Sequence, residues 1–179
     1  ADFYTRVVAA HGALSDQDHP PCIMYSATQV PDRTAFLLEN GADPTPELIA
    51  SVNVVEAAGA DFIAIPCNSA HAFLVPMRAA VSIPILDMIA LVSAEVARVM
   101  PQARRVGVLA ASGSVKVGLY DKPLKRHGLV PLYPDFEIQD EVMAAIKNVK
   151  AGGASEISDP RLITAARHLC DKGADSLIM

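Results

Sequence analysis

Tryptophan is absent, aromatic residues make up 5% of the chain, and only three cysteines occur in 179 residues. Three is an odd number. Cys22, Cys67 and Cys170 also stand at spacings unlike a zinc or disulfide framework. No metal is therefore expected, and a reducing cytoplasm is the expected setting. Basic residues are outnumbered, 15 against 20 acidic, and form no stripe. Phosphate contacts need clustered Lys and Arg, so nucleic acid is not an expected partner. No apolar run approaches the roughly 20 residues that span a bilayer, so no membrane partner is expected, and no signal peptide is visible. Gly and Pro fall between segments rather than in runs. Half of the chain is apolar (51%), enough for a sizeable core in one domain or two small lobes.

The apolar pattern alternates between helical period and short β-rich runs. "ADFYTRVVAAHGAL", "SAHAFLVPMRAAV", "ALVSAEVARVMP", "VKVGLYDKPLKRHG", "DEVMAAIKNVKAG" and "PRLITAARHLCDKG" read as helices. So does "TPELIASVNVVEAAG", with Thr45 as N-cap and Pro46 at the first helical position. "PDRTAFLLEN" reads as a loop entering a short helix, and Pro76 is expected to kink or end its helix. "PCIMYSAT", "DFIAIP", "RRVGVLA", "LVPLYP" and "ADSLIM" read as strands, and "IPILDMI" is short and apolar. Strands separated by helices predict an α/β fold, with parallel-type sheets flanked by helices.

An internal repeat divides the chain. Gly59-Ala60-Asp61 and Gly173-Ala174-Asp175 lie 114 residues apart, and His11-Gly12 and His127-Gly128 lie 116 apart. Two βα-type halves related by duplication are expected, 1–90 and 91–179. Projected by 114, the counterpart of Cys67 falls at position 181, and the counterpart of "VGVLA" falls just before Ala1. The first lobe is thus expected to lack its first strand and a return segment from the chain's end. The second is expected to stop just before a second cysteine.

In an open parallel sheet, ligands sit outside the carboxyl ends of the strands. Cys67 ends such a strand, and a helix is expected to start behind it. A helix N-terminus stabilises an anion by roughly 0.3–2 kcal/mol, whether thiolate or substrate carboxylate. Asn68 and Ser69 add side-chain hydrogen bonds at the same place. Packing as a small hydrophobe is the alternative role for a strand-end cysteine. Cys22 and Cys170 are expected to take that role.

"PCNSAH", with "PDRTAFLL" upstream, "GVLAASGS" and the final "GADSLIM", resembles the aspartate/glutamate racemase superfamily, closest to its aspartate racemase branch. The resemblance covers nearly the whole chain, in order. It implies that the two halves are pseudo-symmetric lobes with the active site between them. It also implies a cofactor-independent enzyme, needing no pyridoxal phosphate, in which two cysteines face each other across the substrate as acid and base. Cys67 matches the first. The second, in the family, follows directly after a strand like "GADSLIM". The substrate would be an acidic amino acid, aspartate first and glutamate second. Arg33 matches the arginine aimed at the side-chain carboxylate, and Lys150 stands where the branch often has a second cation. Asn68, Ser69 and the turn Ser112-Gly113-Ser114 would hold the α-carboxylate. Gln29 is a further candidate contact, and family members commonly form homodimers. Ser69 replaces the usual Thr, keeping the hydroxyl. His71 is expected to be satisfied by local backbone.

Three rival readings stand beside this one. A (β/α)8-barrel fragment would share the phrase "AAGADFIAI" but not the Cys-Asn-Ser ending. A superfamily relative could act on a dicarboxylate as a malonate decarboxylase or maleate isomerase. A two-lobed sheet with a cationic cleft could also bind a dicarboxylate without catalysis.

Overall fold

The structure, a computed structural model, describes residues 2–152 and 159–179. Three helices open the chain: α1 (Asp2–His11), α2 (Arg33–Leu37) and α3 (Thr45–Ala57). A 3-10 stretch (Ser69–Phe73) runs into α4 (Leu74–Ala80), and α5 (Met88–Val99) follows. Then come β1 (Arg105–Val108), α6 (Ser112–Lys116), α7 (Asp121–Arg126) and β2 (Val130–Leu132). The chain continues through α8 (Phe136–Lys150) and α9 (Pro160–Asp171) to β3 (Ser176–Ile178). No helix among the described residues is long and apolar enough to cross a membrane.

The sheet is parallel, in the order β2-β1-β3, with Val106 opposite both Pro131 and Ser176. Strand periodicity sends alternate side chains of β1 to opposite faces. Val106 and Val108 pack with Ile89 of α5 and Leu124 of α7. Leu109, just past β1, packs instead with Val142 and Ala145 of α8 and Leu162, Ala165 and Leu169 of α9. Helices therefore cover both faces, as parallel sheets require. Gly107 is needed for this closeness, because a Cβ there would lie 2.6 Å from a Leu177 methyl and 3.0 Å from one of Leu169.

Earlier in the chain the strand expectations are only partly met. Ile63 and Ile85 form one parallel bridge, between apolar runs buried with Leu48, Val52, Phe73 and Met77. "PCIMYSAT" forms no strand. A strand needs a neighbour for its N–H and C=O groups. This segment has no ladder partner among the described residues, and Ile23, Met24 and Tyr25 stand about half exposed.

Three helix expectations need correction as well. "VKVGLYDKPLKRHG" is two helices, α6 and α7, separated at Gly118, whose φ of +61° interrupts a right-handed run. Pro44 rather than Thr45 caps α3, while the Asp43 carboxylate accepts the Thr45 N–H at 2.8 Å. Pro76 lies in the first turn of α4, where its missing N–H costs no intrahelical bond, and the helix continues past it to Ala80.

The repeat extends to backbone detail. After α3, Gly59 N–H donates to Glu56 and Ala60 N–H to Val55. After α9, Gly173 N–H donates to Cys170 and Ala174 N–H to Leu169. Gly59 and Gly173 have φ of +90° and +89°. Both helices thus end in the same left-handed glycine cap, aiming the chain into the next apolar segment.

Candidate active site

The apolar segment after α3 ends at Cys67, which is half buried. Its N–H donates to Ile65 O at 2.8 Å, a tight turn that stops the extended run. The helix behind it opens as the five-residue 3-10 stretch rather than as an α-helix, and this runs on into α4. Ser69 Oγ lies 3.7 Å from the Cys67 sulfur.

His71 anchors this turn. Met88 N–H donates to His71 Nε2 at 3.0 Å, so Nε2 is the acceptor and Nδ1 carries the proton. Nδ1 then donates to Cys67 O at 2.8 Å. The buried ring thereby joins the Cys67 backbone to the start of α5, consistent with a histidine satisfied by backbone.

Arg33 reaches Cys67 from α2. Its Nη1 donates to Pro31 O at 3.0 Å and Val30 O at 3.3 Å, and Nη2 points at the Cys67 sulfur, 3.9 Å away. Neighbouring Asp32 caps α2. The Ala35 N–H holds its carboxyl below the ordinary range against the opposing effect of burial, helped by Thr34 N–H and by the charges of Lys150 and Arg33.

A cleft of about 390 Å³ opens at Cys67. Arg33, Pro66, Asn68 and Ser69 line it from the first half, and Leu109, Ala110, Ala111 and Met179 from the ends of β1 and β3. Val142, Ile146, Val149 and Lys150 form the α8 wall, at the spacing of one helix face, beside Leu162. Five expected residues therefore share one cavity: Arg33, Cys67, Asn68, Ser69 and Lys150. No Asp or Glu lines it among the described residues. A second depression of about 430 Å³, around Asp87, Gly118, Asp121 and Arg126, holds none of them.

The other expected residues lie elsewhere. Ala110 and Ala111 line the cleft, whereas Ser112, Gly113 and Ser114 form the first turn of α6. Gly113 packs against α2, where a Cβ would stand 3.0 Å from Thr34 Cα. Ser114 is buried, and its Oγ has no partner among the described residues. Gln29 is exposed outside the cleft. Cys22 and Cys170 are exposed free thiols rather than core residues. Cys170 lies one position beyond Leu169, off the buried Leu162–Ala165–Leu169 stripe, and Cys22 belongs to the unpaired segment.

Two polar residues at the site have no counterpart among the sequence expectations. Tyr120 O–H donates to Asn68 Oδ1 at 2.9 Å. Gln139 Nε2 donates to Ala110 O at 2.9 Å and to Ser112 Oγ at 3.1 Å, fixing the loop at the cleft floor. A signal for Gln139 was present, since it heads the same α8 face as Val142, Ile146 and Val149.

The profile of the Asp/Glu/hydantoin racemase family matches residues 1–179. Over 142 residues the chain is 29% identical to the broad specificity amino-acid racemase RacX of Bacillus subtilis (strain 168), covering 76% of this chain and 59% of that protein. The chain thus spans about three-fifths of that curated relative's length. Among solved structures, Picrophilus torridus aspartate racemase shares the fold with a TM-score of 0.80 at 24% identity, over 98% of this chain and 72% of that one. The aspartate racemase homologue of Pyrococcus horikoshii OT3 gives 0.71 at 19% identity, over 98% and 76%. A family match from the first residue to the last, on an α/β fold with a parallel sheet flanked by helices, settles the kinship: this chain belongs to the Asp/Glu/hydantoin racemase family.

Proposed function

We propose that the protein racemises an acidic amino acid, aspartate first and glutamate second, by proton transfer at Cys67 without pyridoxal phosphate or a metal. One observation carries the reading. Cys67 shares its cleft with two cations, Arg33 and Lys150, and with no acidic side chain among the described residues. A dianionic substrate complements such a site. A guanidinium also discriminates a carboxylate from an amide or alkyl group.

In this reading Arg33, with Lys150, holds the side-chain carboxylate. Asn68 and Ser69, with the loop ahead of α6, hold the α-carboxylate. The Cys67 thiolate removes the α-proton, and a thiol suits this step because its reference pKa of about 8.5 lies near neutrality. Hydrogen bonds to the α-carboxylate and the apolar α8 wall stabilise and shield the carbanion. Return of a proton on the opposite face completes inversion. The family resemblance puts the second cysteine just past a strand like β3, and Met179, at the end of β3, lines the Cys67 cleft.

A second reading has one observation in its favour. The same lack of a carboxylate leaves an α-ammonium without an acidic partner, so a dicarboxylate lacking an amine also fits the charges. A substrate panel separates the two. The full-length gene product is offered aspartate, glutamate, alanine, malonate derivatives and maleate, with products followed by chiral chromatography and NMR. Racemisation of aspartate or glutamate ahead of alanine is expected. Turnover of a malonate or maleate with no amino-acid racemisation would replace the first reading by the second.

A further inference from the structure

We propose that Tyr120 is a positioning residue that fixes the side-chain amide of Asn68, so that Nδ2 rather than Oδ1 is presented to the substrate carboxylate. This rests on the reading of Asn68 as a substrate contact. An asparagine amide offers an acceptor at one end and donors at the other, and a half-turn exchanges them. Only the donor end attracts a carboxylate, and the acceptor end repels it. Asn68 stands half buried in the cleft lining, with Oδ1 accepting the Tyr120 O–H at 2.9 Å. No described residue accepts from Nδ2. Were the amide reversed, Nδ2 would face the phenol and Oδ1 the ligand.

The phenol suits this task. Tyr120 is 2% exposed and packed with Val106, Val108, Leu124 and Ile178, so its ring has one place to be. Burial pushes its ionisation up to about 12, so the hydroxyl keeps the proton it donates to Asn68 Oδ1 throughout the neutral range. The residue lies between α6 and α7, in the segment that Gly118 breaks from a continuous helix. The bond also spans the cleft's two sides, because Asn68 follows the first apolar strand-like segment while Tyr120 packs behind β1.

The test is a double-mutant cycle on the full-length gene product, with KM and kcat for L-aspartate as readouts. Tyr120→Phe deletes one oxygen and keeps the ring, so a purely packing role leaves KM unchanged. The expected result is a KM raised about five- to tenfold, the scale of one mis-set hydrogen bond, with kcat changed less. Asn68→Ala should raise KM at least as much, and adding Tyr120→Phe to it should change nothing further, since the phenol acts only through Asn68. If Asn68→Ala raises KM and Tyr120→Phe does not, the positioning role is overturned while the substrate reading stands. If Asn68→Ala leaves KM unchanged, the substrate reading of Asn68 fails and takes the positioning role with it. Should Tyr120→Phe not fold, the ¹⁵N-labelled wild type decides. A single orientation of the Asn68 amide, assigned by its loss in Asn68→Ala and shifted by aspartate, supports the role, and two exchanging orientations in the free protein overturn it.

Discussion

Arg33 Nη2 stands 3.9 Å from the Cys67 sulfur, across 34 positions of sequence. Two backbone carbonyls hold the guanidinium from behind, so its place does not depend on a ligand. A carboxylate seated on Arg33 lies within a few ångströms of the thiol that would take the α-proton.

Arg33→Lys keeps the charge but loses the planar fork that bonds two carbonyls and a ligand together. Aspartate turnover by the full-length gene product should lose about 10- to 100-fold in kcat/KM, the scale of one charged hydrogen bond. Any turnover of alanine, which lacks the second carboxylate, should change little. Equal losses on both substrates would show that Arg33 acts elsewhere than at the side-chain carboxylate.

His71→Ala removes the bridge between Cys67 O and Met88 N–H. Two part-buried backbone groups lose their partner, for a cost of about 1–3 kcal/mol in urea unfolding. Activity should fall too, because the turn that carries Cys67 is no longer tied to α5. A variant of wild-type stability would show that water replaces the ring at no cost.

Acid and base should weaken the fold through different residues. Arg161, by hydrogen bond and charge, holds Asp159 at about 2 against an ordinary 3.8. Its stabilising effect is therefore full above 3.8 and lost as pH falls from there through about 2. Asp159→Asn should flatten that limb of stability against pH. Tyr120 has the opposite sign. Burial raises it from 10.0 to about 12, so its effect is full below 10 and lost as pH rises through about 12. Tyr120→Phe should flatten the alkaline limb, and an unchanged slope in either variant would contradict its assignment.

The twin caps make a paired prediction. Gly59→Ala and Gly173→Ala each place a Cβ at φ near +90°, a strain of about 1–2 kcal/mol in thermal or urea unfolding. Gly59 has open space around it, while a Cβ at Gly173 would lie 2.5 Å from Arg105 Nη1. The second variant should be the less stable by the cost of moving that flexible side-chain end. The reverse order would mean the caps are not equivalent.

Much of this was legible in sequence, and the failures share a cause. The apolar run stopping at Cys67, the Gly-Ala-Asp repeat and the helices of the second half follow from local rules of periodicity and capping. "PCIMYSAT" has the composition of a strand, but a strand is made by its neighbours, and none of the described residues supplies one. The helical pattern of "VKVGLYDKPLKRHG" runs straight through Gly118, which hides both the break there and the place of Tyr120 beside Asn68. Ser112, Gly113 and Ser114 are a ligand turn by family resemblance alone, and the close approach of Gly113 to α2 is a long-range contact that small residues do not announce. Cys170 stands a single step around α9 from the buried stripe, a rotation of about 100° that composition does not carry.

The most direct measurement follows L- and D-aspartate with the full-length gene product in deuterium oxide, alongside Cys67→Ala. NMR reads α-proton exchange, and chiral chromatography reads the enantiomer ratio. The expected result is exchange with inversion in the wild type, and loss of exchange from at least one enantiomer by about 100-fold or more in the variant. Undiminished exchange of both enantiomers by Cys67→Ala would contradict the central claim that Cys67 moves the proton.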